Sequence, residues 1–197
     1  MRSLRPLITA TVIVVAGIAS TTAQTSTAKP QVSATKRPTS SPTSKNPVMR
    51  HAFTLRLKVD KEHYQEFHYD KQPYVSENEV YLFSGDKFGV NLIVKADRVT
   101  EVRYQPDVTK ADVIFGFEQP KELQDGVAMA LTIDNKIKHD VGMEVMGSIP
   151  GKKDPFKDKI VPVKAGKSNT EFWPHPIVQL VLGHFQLTAE GTAQPKK

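Results

Sequence analysis

The sequence predicts an all-β domain, an antiparallel β-sandwich. Three observations carry that reading. From Met49 to about Leu187, apolar residues recur mostly at every second position, the spacing at which strand side chains share a face. Clusters of Gly, Pro, Asp, Asn and Ser interrupt the pattern at short intervals, as turns between short strands do. No stretch carries a strong helical period.

Each element follows from its own residues. Phe53, Leu55, Leu57 and Val59 alternate with polar residues and form the first strand. Asp60 to Tyr69 is ambiguous. As a helix it is capped by Asp60, with Tyr64, Phe67 and His68 on one side; as a strand it sets Glu66, His68 and Asp70 on one face. Val80 to Phe83 and Phe88 to Val94 flank Ser84-Gly85-Asp86-Lys87, which reads as a hairpin turn. Val99 to Tyr104 and Asp112 to Phe117 follow, parted by Gln105-Pro106-Asp107. Val127, Met129, Leu131 and Ile133 share a face until Asp134-Asn135. Val141, Met143 and Val145 form another alternating set, closed by Pro150-Gly151. Ile160 to Val163 holds Pro162, which cannot donate to a ladder and marks an edge strand. Ile177 to Leu187 is apolar on both faces, which predicts a central strand.

The total is eight or nine short strands. In architecture the pattern resembles an immunoglobulin-like sandwich. The resemblance stops there, because the chain has no cysteine pair and no tryptophan in the expected third strand.

The N-terminus predicts export. Arg2 and Arg5 precede an apolar run from Leu7 to Ala19, and small residues at Thr21-Thr22-Ala23 suit a signal peptidase. A membrane-spanning helix needs about 20 apolar residues, more than this run supplies. Residues 1–23 therefore read as a cleaved signal peptide, and the mature chain is expected to hold no transmembrane segment. Residues 24–47 are rich in Ser, Thr, Pro and Lys, and Val32 is the lone large apolar residue among them. That composition buries too little to offset ordering entropy and predicts a disordered linker, either a spacer or a basic tether. The domain proper runs over 48–188, and 189–197 reads as a disordered tail.

Charge and cysteine usage exclude several function classes. The net charge is +6, yet six basic residues lie in 1–47, where no acidic residue occurs. The other 21 balance 21 acidic residues in 48–197. Nucleic-acid binding by the folded domain loses its electrostatic basis. The absence of cysteine removes thiol catalysis, thiolate metal sites, disulfides and an N-terminal lipid anchor on Cys.

Three clusters are candidate sites. Glu171-Phe172-Trp173-Pro174-His175-Pro176 holds the single Trp, and its prolines press Trp173 and His175, the residues before them, toward extended backbone. Phe172, Trp173 and His175 are the candidate binding residues, with Trp173 able instead to close the core. His63, Glu66, His68 and Asp70 form a candidate metal group without the H-E-x-x-H spacing of a zinc helix. His139, Met143 and Met146 offer soft ligands for copper. On a strand, His139 and Met143 share a face and Met146 takes the other. Ala165-Gly166-Lys167-Ser168 ends like a phosphate-binding loop, but Val161 stands where its first Gly belongs. Ser148 lies outside the G-x-S-x-G elbow.

The expectation is an exported, bacterial envelope-associated binding or structural module without catalytic activity and without a cofactor. Its partner is a protein or an envelope polymer. The alternatives are a periplasmic copper or zinc protein, and a secreted hydrolase or carbohydrate-binding domain.

Overall fold

The computed structural model describes residues 46–188, which lie within one compact unit. The expected signal peptide, the linker apart from Asn46 and Pro47, and the tail lie outside the described residues.

The described chain is all-β and antiparallel, with no α-helix. Twelve strands follow in order: β1 (Phe53–Lys58), β2 (Tyr64–Tyr69), β3 (Val75–Ser76), β4 (Glu79–Leu82), β5 (Asp86–Lys95), β6 (Arg98–Gln105), β7 (Val113–Glu118), β8 (Met129–Asn135), β9 (Asp140–Ser148), β10 (Phe156–Val163), β11 (Ser168–Trp173) and β12 (Gln179–Thr188). One five-stranded sheet has the order β10-β9-β12-β4-β3, the other β11-β8-β7-β5-β6. β1 and β2 form a separate hairpin.

The inner faces follow the alternation. Val80, Leu82, Val141, Val145, Leu180 and Leu182 of the first sheet are buried in the same apolar cluster as Val90, Phe115, Phe117, Leu131 and Ile133 of the second. Each such side chain stabilises the fold by about 1.5–3 kcal/mol when fully buried. This sandwich-like pairing of sheets is closed on one side by the hairpin. Leu55 and Leu57 enter the cluster, and the Phe53 ring lies 5.3 Å from Tyr69 and 4.9 Å from Phe83.

Several expectations are corrected. Asp60 to Tyr69 is no helix: the Asp60 carboxylate accepts the Glu62 and His63 amides in a turn, and Tyr64 onward pairs with β1. Ser84 to Lys87 is no hairpin turn, since β4 and β5 belong to different sheets. The chain crosses there because the Gly85 amide bonds the Phe117 carbonyl of the second sheet, while Asp86 accepts the Phe83 amide.

Ile177 to Leu187 is central in its sheet, as predicted, but it is not buried on both faces. A bulge between Gly183 and Gln186 shifts the alternation by one residue. Leu180 and Leu182 point inward before it, and Phe185 does so after it. His184 is forced outward with φ at +53°, in the left-handed region that non-glycine residues rarely take. Pro162 does stand on an edge strand, β10.

Candidate functional site

The Phe172–Pro176 segment sits where β11 leaves one sheet and the chain crosses to β12 in the other. Trp173 is 8% exposed and packs beside Phe156 at 6.2 Å between ring centroids. The His175 ring meets Phe156 edge-on at 5.8 Å. Phe156 in turn lies against Gly147, where any added Cβ would fall 2.1 Å from its ring. Beyond the prolines, Ile177 and Val178 are buried, and the Val178 amide donates to the Ser148 carbonyl at 2.7 Å.

This anchoring splits the three candidate residues. Trp173 points into the core as a strand-end plug. His175 is half-buried against Phe156. Phe172, one residue along the strand, takes the opposite face and is 58% exposed. Its neighbours on that face are set by register: Ala130 opposite it on β8, then Glu118 on β7. The next row holds Thr170, Thr132 and Gly116. Phe172 thus stands at the β11 margin of a sheet face whose adjoining rows hold Ala130, Thr132, Gly116, Thr170 and the charged Glu118.

The candidate metal groups do not converge. Among the described residues, no three His, Asp or Glu side chains gather closely enough to hold an ion. His63 turns back on Asp60, with Nδ1 2.8 and 2.9 Å from the two carboxylate oxygens. Hydrogen bonds from the Glu62 amide, then from His63, hold the Asp60 carboxyl below its ordinary value. His68 meets the Thr54 hydroxyl at 2.9 Å, and Glu66 faces Arg56 across the hairpin. Asp70 lies just past the end of β2 and is exposed.

His139 does not share a strand face with Met143, because β9 begins one residue later at Asp140. The Asn135 amide bonds the His139 carbonyl at 2.8 Å and holds that residue in the connection between β8 and β9. His139 is exposed there, Met143 is buried in the core, and Met146 is half-buried on the other face.

Sequence reasoning missed three polar arrangements. Arg50 is buried at 7% exposure, paired with Asp86 at 2.6 Å and bonded to the Tyr81 carbonyl at 2.6 Å and the Pro73 carbonyl. Its guanidinium lies 4.0 Å from the Tyr74 ring centroid. A single Arg between a linker and a strand carries no sequence signal for this. On the outer face of the first sheet, His184 reaches Glu144 at 3.1 Å, and Glu144 reaches Lys159 at 3.4 Å. Nearby on that sheet the Tyr81 hydroxyl donates to Glu79, and burial, then the Glu79 charge, pushes the phenol up to about 12. Here the Gly183-His184 break in the alternation was a readable signal. The third is a cleft of about 520 Å³ lined by Leu92, Val94, Asp97, Asp112, Ile137, His139 and Leu187. Asp112 is committed there, accepting the Leu92 amide at 2.8 Å.

No family model, curated protein or solved structure matches this chain. Its function is therefore argued from the residues alone.

Proposed function

We propose that this protein is an exported, bacterial envelope-associated module that binds a protein or an envelope polymer without catalysing a reaction. The export signal read from residues 1–23 supports the location. Within this reading the two antiparallel sheets form an immunoglobulin-like sandwich, and the Ser/Thr/Pro/Lys-rich segment is a spacer. The observation that carries the binding role is the split between Phe172 and Trp173. Buried Trp173, followed by Pro174 and Pro176, fixes the backbone from which exposed Phe172 projects, so little backbone ordering entropy is lost on contact. Aromatics of this kind anchor interfaces and stack on apolar faces of sugar rings.

The test compares the full chain with Phe172→Ala in pull-downs on insoluble envelope polysaccharide and in cross-linking within the exporting host. Loss of the retained polymer or cross-linked partner in the variant supports the reading. Equal retention by both proteins sinks it. Turnover in a hydrolase screen that a single side-chain change abolishes would replace it with the hydrolase alternative.

A further inference from the structure

The free edges of the sheets differ in how they are protected. An unpaired edge invites another strand, and stable proteins blunt it with proline, lysine, bulges, short length or inward polar groups. β3 is two residues long. The edge of β6 is occupied by Asn78, whose side chain accepts the Val102 amide at 2.9 Å and donates to the Thr100 carbonyl at 3.3 Å. β10 carries Lys157, Lys159, Pro162 and a register shift. β11 turns Asn169 and Glu171 to the same side as Trp173. The far edge of β1 is met at Lys58, whose amide and carbonyl both bond the Gln119 side chain at 2.9 Å.

β2 has a single such device, the polar Gln65 on the same side as Phe67 and Tyr69. It is six residues, Tyr64-Gln65-Glu66-Phe67-His68-Tyr69, with no proline, lysine or bulge. Among the described residues its only strand partner is β1. Tyr64, Gln65, Glu66 and His68 are exposed.

The phase of the ladder tells which groups face outward. The Val59 amide donates to the His63 carbonyl at 2.9 Å, so this is a hydrogen-bonded pair. Counting along the register, Gln65, Phe67 and Tyr69 turn their backbone groups to β1, whereas Tyr64, Glu66 and His68 turn theirs to the free edge. Outward residues can bond only outward residues of an incoming strand. For an antiparallel copy of β2, two registers then give the longest overlap. One centres on Glu66 and sets that carboxylate against its own copy, which is repulsive. The other centres on Phe67 and sets Glu66 opposite His68 of the second copy, twice by symmetry. The His68 Nδ1 is engaged with Thr54, so Nε2 is the atom available to the incoming carboxylate.

We infer that β2 is a self-association edge: two copies of this chain pair antiparallel about Phe67 and join their hairpins into one four-stranded sheet. The inference is independent of the binding role of Phe172.

Sedimentation equilibrium of the full chain tests it, together with hydrogen exchange read residue by residue. A monomer–dimer equilibrium is expected, with the Glu66 and His68 amides becoming protected as concentration rises. His68→Glu should weaken the dimer roughly tenfold, because two attractive pairs become repulsive. The swap E66H/H68E should restore it. Glu66→Pro, which removes an outward donor but no bond to β1, should abolish it. A monomer at every soluble concentration overturns the inference. So does a dimer whose outward β2 amides stay unprotected, whether another surface or another segment of the chain holds it.

Discussion

The two ends of strand β7 lie beside two different solutions to the same problem. At each end the chain crosses from one sheet to the other, and a polar group is buried at the crossing. Beside Phe117 stands Asp86 with Arg50, whose guanidinium is buried against Tyr74, Phe83 and Phe88 while the Asp86 side chain stays 17% exposed. Beside Val113 stands Asn135, a neutral amide that donates to the carbonyls of His139, Val163 and Lys164 and accepts the Ile137 amide. Next to it Asp140 is buried but reaches Lys164, whose side chain is 62% exposed. The first end buries its cation and leaves the carboxylate only partly exposed. The second keeps its buried hub neutral and lets the cation stay in water. Burying an ion requires full compensation, whereas a neutral amide needs only its hydrogen bonds.

Removing one partner of the charged pair should therefore have the largest effect. Arg50→Ala strands Asp86 without its counter-ion and is expected to destabilise the domain by about 3–5 kcal/mol. Denaturant unfolding measures this, and a loss comparable to that of Asn135→Ala would erase the contrast between the ends. Asn135→Ala leaves two or more carbonyls short of a donor and is expected to cost about 1–3 kcal/mol. Gly147→Ala, away from both ends, drives a Cβ into the Phe156 ring and is expected to cost about 1–3 kcal/mol through overpacking.

Asp140 sharpens the comparison through pH. The Lys164 hydrogen bond, then the Ala165 amide, hold its carboxyl below the ordinary range. A lowered folded-state value adds stability above the unfolded value of about 3.9, and that stability is lost as pH falls through the folded value. Asp140→Asn should flatten the acid side of the stability profile and leave the neutral-to-basic shape unchanged. The smallest expected effect on stability is at Phe172→Ala, within about 0.5 kcal/mol, because the side chain is mostly solvated. A larger loss of thermal stability would mean that Phe172 supports the fold rather than a partner.

Much of the fold was legible because burial on one face imposes a period of two. Leu55 and Leu57, Met129 with Leu131 and Ile133, and Val141 with Met143 and Val145 were each set on one face by the alternation, and each is buried. Pro162 announced an edge by chemistry alone, since it has no amide hydrogen. The Ser84–Lys87 turn was misassigned for a physical reason: turn residues specify that the chain bends, not which sheet receives the next strand. The apolar run in β12 was misread because a bulge and a doubly buried strand both place large apolar side chains at odd and even positions.

The candidate site was legible only as a segment. Phe172, Trp173 and His175 were marked by composition and by their prolines, and no pattern told which aromatic would be buried. The metal groups were grouped by sequence distance, and the fold sends His63, His139 and Met143 to different surroundings.

By itself the sequence determined the strand class, the inward faces, the proline-marked edge and the neutrality of the domain beside a basic N-terminal segment, because periodicity and charge are local properties. The sheet orders, the crossings, the burial of Arg50 and the exposure of Phe172 were decided only by tertiary structure. Those depend on residues such as Arg50 and Asp86, thirty-six positions apart, finding each other, and such pairings leave no local trace.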